Sequence, residues 1–136
     1  MATPEDNVEI VRQYFGWTGK EGLEKWAARA GDFWEKNGDY YPVAAFPEAR
    51  PCHGPDQVVA FLTDFLSAWD SYDYEVLDAR AVSDDRVFMR GRIKAEGRAS
   101  GASLEGDIYH CCWMRHGRFI RIEDHLTEKG ALEALG

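Results

Sequence analysis

The chain has no uncharged apolar run near the roughly 18 residues of a membrane-spanning helix, and Met1-Ala2-Thr3-Pro4-Glu5-Asp6 at its start is neither basic nor apolar. A soluble cytoplasmic protein is expected. Positive charge is scarce too: 16 Lys plus Arg against 24 Asp plus Glu leave a net −8, a sign that repels phosphate backbones and anionic lipid headgroups. Neither nucleic acid nor a membrane is an expected partner. Cysteine is limited to Cys52, Cys111 and Cys112. The count is odd, and neighbouring strand residues point to opposite faces, so a 111–112 disulfide is disfavoured and reduced thiols are expected. The histidines His53, His110, His116 and His125 make no HxxxH pattern and the cysteines no CxxC, so no metal site is expected. A Gly-rich phosphate loop, a GxSxG nucleophile motif and any cofactor fingerprint are also missing, and no cofactor is expected.

What is present is an apolar fraction of 45% and an aromatic fraction of 13% in 136 residues. That is enough for one domain, 1–136, with a core and room for a cavity. Thr3, Pro4, Glu5 and Asp6 start a helix over about 4–16, with Val8, Val11 and Phe15 at helical spacing. Thr18-x-x-Glu21 resembles a capping box before a second helix with Leu23, Trp26, Ala27 and Ala30. Between Asp32 and Gly54 Pro42, Pro47 and Pro51, with Pro55 just beyond, break an aromatic-rich stretch, expected to be a short strand and a loop. Pro55 opens a third helix, whose stripe of Val58, Leu62, Phe65 and Trp69 runs up to Asp70. Four strands follow, Tyr74–Val82, Arg86–Ala95, Leu104–Met114 and Phe119–Leu126, as an antiparallel meander. Helices first and strands second is the order of an α+β fold.

This order resembles the nuclear transport factor 2-like superfamily, and within it the SnoaL-like, polyketide cyclase-related proteins. His53-Gly54-Pro55-Asp56-Gln57-Val58 looks like their Gly-containing lead-in to the third helix, and Gly97-Arg98-Ala99-Ser100-Gly101 like a strand-joining segment. Arg115 to Ile122 looks like their last hairpin, and Ala131 to Gly136 like their C-terminal tail. The resemblance implies a cone-shaped α+β barrel, with N-terminal helices packed on a curved, mostly antiparallel sheet around a pocket. Such a scaffold serves cyclases, isomerases, epoxide hydrolases and non-catalytic proteins alike, so chemistry has to be argued from side chains.

Alternation on the third strand puts Gly106, Ile108, His110, Cys112 and Met114 on one face, expected to line the pocket, and Glu105, Asp107, Tyr109, Cys111 and Trp113 on the other. On the last strand Ile120, Ile122, Asp124 and Leu126 share a face, where Asp124 alone interrupts an apolar row. A carboxylate there must be paired or have its pKa raised, and either suits acid–base work. It could equally neutralise a buried arginine. Ile122-Glu123-Asp124-His125-Leu126 resembles the Trp-Arg-Asp-Tyr-Phe stretch of limonene epoxide hydrolases, in which the matching aspartate is catalytic. Those enzymes also carry Arg-x-Asp on the strand corresponding to the second one here, where Arg90-Gly91-Arg92 supplies no aspartate. Ketosteroid isomerases place a carboxylate base where ungapped matching puts Ala45, with Asp39 reached only by shifting the loop; Tyr14 could take their tyrosine role.

The expected function is that of a cofactor-independent acid–base enzyme of cyclase, isomerase or hydrolase type, acting on a hydrophobic carbonyl or epoxide compound. Asp124, His110 and Arg92 are its candidate catalytic residues. Tyr14, Trp17, Tyr41, Phe65, Trp69, Ile108, Cys112 and Ile122 are candidates to line the substrate site. Which face of the second strand, Arg90 and Arg92 or Met89 and Ile93, points inward is open at this level. The alternative is a non-catalytic ligand-binding or dimerisation module with a structural Asp124–Arg pair. The mixed aromatic and charged face of Tyr109, Trp113, Arg121, Glu123 and His125 is expected to form a homodimer.

Overall fold

The computed structural model describes residues 3–16, 29–43, 49–97 and 103–136. Helix α1 (Pro4–Phe15) starts on a capping box: the Asp6 amide donates to Thr3 Oγ1 at 3.1 Å and the Thr3 amide to Asp6 Oδ2 at 3.0 Å. Strands β1 (Trp34–Tyr41) and β2 (Cys52–His53) follow, then helix α2 (Pro55–Ser67). The long strands β3 (Trp69–Ser83), β4 (Arg86–Gly97), β5 (Ser103–Arg115) and β6 (Arg118–His125) precede a last helix, α3 (Glu128–Leu135). The second helix expected from Thr18 falls mostly outside the described residues; 29–33 are helical and run into β1.

The six strands form one curved sheet in the order β2-β1-β6-β5-β4-β3. Neighbours are antiparallel except β1 with β6, which run parallel. The α+β class and the meander are as expected from sequence. The sheet is open, with β2 and β3 as its edges, so it wraps the core without closing into a barrel.

Helices α1 and α2 pack on the concave face. Val11 and Tyr14 of α1 and Val58, Phe61, Phe65 and Leu66 of α2 share one core with Val87, Met89, Ile93, Ile108, Met114, Phe119 and Ile122 of the sheet. The inward face of β4, undecided by alternation, is thus Val87, Met89, Gly91, Ile93 and Ala95, all buried. Arg90 and Arg92 lie on the convex face, where both donate to Asp107 of β5, Arg90 Nε at 2.9 Å and Arg92 Nε at 3.0 Å. The Arg90 hydrogen bond, with that of Arg92, holds the Asp107 carboxyl below the ordinary carboxylate range.

Two local expectations are corrected, and the C-terminal tail, to which the sequence assigned no element, gains one. Helix α2 stops at Ser67 instead of Asp70, and Trp69 opens β3, so the tryptophan that fits the helical stripe is a strand residue. The C-terminal tail is a helix: Thr127 caps α3 through the Gly130 amide at 3.1 Å, and Ala131 and Leu135 cover Phe88 and Cys111 on the convex face. On β6 the pairing shifts between Trp113↔Arg121 and Met114↔Phe119, leaving Ile120 as an extra, half-exposed residue and turning Phe119 inward. Strict alternation had assigned that place to Ile120. The β5–β6 turn is tight, with φ of 52° at His116 and 74° at Gly117, the left-handed pair a two-residue hairpin needs.

Gly91 has a different role. A Cβ there would lie 2.1 Å from Tyr74 Oη and 2.4 Å from its Cζ, so the Tyr74 ring occupies the space a side chain would take. Gly91→Ala is expected to destabilise the fold by about 1–3 kcal/mol, the usual cost of overpacking, read as a lower denaturant midpoint with an unchanged slope; an unaltered midpoint would mean that Tyr74 is not seated there.

Candidate functional site

The β5–β6 register sets His110 directly opposite Asp124, both side chains on the concave face. Asp124 Oδ1 is 2.5 Å from His110 Nδ1, and its Oδ2 accepts from the Tyr40 hydroxyl. Tyr40 arrives on β1, whose parallel pairing with β6 places it beside Ile122. On the other side Tyr74 Oη lies 2.7 Å from His110 Nε2. Tyr74 sits on β3, two strands from His110, and its ring crosses β4 at Gly91. The result is a buried chain, Tyr40–Asp124–His110–Tyr74. Phe15 of α1 stacks on the imidazole at 4.2 Å between centroids.

A carboxylate accepts and does not donate, so with Asp124 ionised the Nδ1 of His110 carries a proton and Nε2 of the neutral ring accepts from Tyr74. The imidazole is then fixed in tautomer and orientation from both ends. Burial pushes the phenols of Tyr40 and Tyr74 well above the ordinary tyrosine range, and the Asp124 charge adds to this for both. Burial likewise raises Tyr14 and Tyr72.

The chain of four borders a cavity of about 60 Å³, walled by Tyr14, Phe15, Phe61, Phe65, Tyr72 and the aliphatic Leu62, Leu66, Ile93, Ile108 and Ile122. Neither lysine nor arginine is among its described lining residues. At about 10–15 Å³ per water-sized centre, this volume takes a handful of ligand atoms. The Asp124 side chain is 0% exposed and that of His110 4%, so the carboxylate is closed off behind its partners and the imidazole meets the cavity beside the Tyr74 hydroxyl.

Of the sequence candidates, the structure brings Asp124, His110, Tyr14, Phe65, Ile108 and Ile122 to this cavity. It does not bring Arg92, whose side chain is 52% exposed on the convex face and paired with Asp107. The Asp124–Arg pair of the alternative reading does not form: Asp124 meets His110 and Tyr40, because β4 turns both arginines outward. Tyr41 alternates away from Tyr40 and lies under the Arg121 guanidinium, 4.7 Å from the ring centroid, outside the cavity. Trp69 is buried against Phe65 without lining the cavity. Cys112 is sealed in the core, where burial holds its thiol well above the ordinary range. Trp17 lies outside the described residues. No group of three or more His, Cys, Asp or Glu suited to a metal ion occurs among the described residues, and none of their helices is long and apolar enough to cross a membrane.

Tyr40, Tyr74 and Gly91 were missed. The signal for the last two was a glycine in the interior of a strand, which marks close approach by another group, together with Tyr72 and Tyr74 at the period of two.

The architecture is that of the nuclear transport factor 2 and ketosteroid isomerase-like fold. Within it, the chain belongs to the SnoaL-like domain family, which matches residues 11–122. Among solved structures it is similar to Bal32a from a soil-derived mobile gene cassette, at 19% identity and a TM-score of 0.77, with 97% of each chain covered. It is also similar to a SnoaL-like polyketide cyclase, so described, from Jannaschia, at 16% identity and a TM-score of 0.75, covering 99% of this chain and 94% of that one. A third is a hypothetical protein with a ketosteroid isomerase-like fold from Catenulispora acidiphila in complex with trimethylamine, at 12% identity and a TM-score of 0.68, with 97% and 92% covered. At these identities the likeness shows the fold. No curated protein matches the chain significantly in sequence.

The buried phenols give a pH dependence of defined sign. Unfolded tyrosines lose their protons near pH ~10, whereas Tyr14, Tyr40, Tyr72 and Tyr74 in the fold keep theirs longer. The stability they contribute is present below that pH and falls as pH rises above it, by about 1 kcal/mol per pH unit for each phenol that stays protonated. Urea midpoints measured across that range should drop steeply, and Tyr74→Phe should make the drop shallower.

Proposed function

We propose that the protein is a cofactor-independent acid–base enzyme of the cyclase or isomerase kind, acting on a small hydrophobic carbonyl compound. The observation that carries this reading is the Asp124–His110 pair at the edge of an apolar cavity. His110 takes and returns the proton next to the carbonyl, and Asp124 fixes its tautomer and stabilises the imidazolium that forms. Tyr40 holds the second carboxylate oxygen, so Asp124 keeps one orientation through the cycle. Hydrolysis of an epoxide has less support, since no second carboxylate reaches the cavity among its described lining residues. The kinship with SnoaL-like proteins supports the cyclase and isomerase classes over it.

The second reading is a ligand-binding module without chemistry. It is favoured by the saturation of the chain of four, in which each group already has a partner, and by the trimethylamine held by the Catenulispora protein. The family match ends at residue 122, while the rest of β6 and α3 pack on the same sheet, which supports reading 1–136 as one domain. The convex face of Trp113, Arg121, Glu123 and His125, half-buried or exposed beside α3, supports a homodimer.

A thermal-shift screen of small ketones, lactones and epoxides identifies ligands by the rise in melting temperature. Each hit is then followed for turnover. Asp124→Asn is expected to keep the ligand shift and lower turnover by at least ~100-fold; a variant that binds and turns over as the wild type does would sink the acid–base reading. Binding without turnover by the wild type, for every hit, would leave the binding module. Sedimentation at micromolar concentration should give a dimer; a species of 15.5 kDa is the monomer and counts against it.

A further inference from the structure

Counting protons along Tyr40–Asp124–His110–Tyr74 gives the polarity that the chain shows to the cavity. With neutral His110, the Tyr40 hydroxyl and the Nδ1 hydrogen both point at Asp124, and the Tyr74 hydroxyl points at Nε2. Tyr74 then offers the cavity its lone pairs and no proton. If His110 gains a proton, Nε2 becomes a donor and the Tyr74 oxygen its acceptor, which frees the phenol hydrogen to turn into the cavity. The 2.7 Å contact serves both states, so no heavy atom has to move.

We propose that Tyr74 is the residue that reads the ligand, and that the proton on His110 sets what it reads. With imidazole in place the cavity takes compounds that donate, hydroxyl or N–H; with imidazolium it takes ketones and aldehydes, which accept. This rests on the acid–base reading for its ligand class and concerns binding alone: a carbonyl compound bound to the imidazolium state accepts from Tyr74.

The groups that face His110 are known from each element packed on it: Asp124 from β6, Tyr74 from β3, the Phe15 ring from α1, and Tyr40 from β1 through Asp124. Tyr14, Tyr72 and Cys112 are the other titratable groups close to the Asp124 charge, and all three are held protonated by burial. Of the groups in this cluster, His110 is the one whose ring can carry a proton on one nitrogen or on both.

The test uses two probes of one shape, cyclopentanone and cyclopentanol, with nitrogen-15 labelled histidine in the intact protein. Long-range proton–nitrogen spectra of the free protein should show neutral His110 protonated on Nδ1; a proton on Nε2 in the neutral ring would overturn the proposal before any ligand is added. Cyclopentanone should bind about three- to tenfold tighter below the His110 midpoint than above it, the worth of one hydrogen bond, and should raise that midpoint when bound. Cyclopentanol, which can both donate and accept, should bind with nearly equal affinity on both sides. In Tyr74→Phe the preference of the ketone for low pH should vanish, because the hydroxyl that turns toward it is gone. A ketone preference that persists in that variant would assign the reading to His110 itself, and equal ketone affinity across the wild-type midpoint would refute the switch. No readout involves turnover, so a protein that converts nothing still passes or fails.

Discussion

The contact between Asp124 and His110 is the constraint around which the concave face is arranged. A carboxylate in an apolar cavity is costly unless its oxygens are occupied, and here both are, one by an imidazole from the neighbouring strand and one by a phenol from a strand that arrives in parallel. The pairing depends on register. The two-residue turn at His116 and Gly117 brings β6 back along β5, and the extra residue at Ile120 lets Phe119 fill the core while Ile122 and Asp124 still face inward. A slip of one residue would send Asp124 to the convex face and Glu123 into the core.

The two faces of the sheet handle charge differently. On the convex side Asp107 meets two arginines in the presence of water, where such contacts are screened and contribute little. On the concave side one buried carboxylate meets an imidazole and a phenol, where each hydrogen bond counts for more. Arginine at 90 and 92 is therefore a surface feature, although sequence comparison with epoxide hydrolases draws attention to it. Membership of the SnoaL-like family fixes the scaffold, and four side chains on four strands form the polar chain at its cavity.

The strands of the meander and the helices α1 and α2 were legible because their periods are regular and their boundaries carry strong signals: the capping box at Thr3, Pro55, and the turn at His116-Gly117. Asp124 and His110 were legible as polar interruptions of apolar rows. Arg92 was misplaced because strand alternation defines two faces without saying which is covered, and the helices that decide this lie far away in sequence. Tyr41 was chosen over Tyr40 for the same reason, one residue of phase. Trp69 obeys the helical stripe of α2 and is taken over by strand pairing with Gly97. Tyr74 could not be read from its own strand, since its partner lies two strands over and is reached through an absence, the missing side chain of Gly91.

The parallel pairing of β1 with β6 bears on the order in which the protein assembles. Along the chain, His110 and Asp124 are 14 residues apart, Tyr74 and His110 36, and Tyr40 and Asp124 84. Loop-closure entropy grows with separation, and parallel pairing has no hairpin to nucleate it. The hairpin and its buried acid therefore come together first, the phenol from β3 next, and the phenol from β1 last, so that folding ends with the docking of the strand that covers the second carboxylate oxygen.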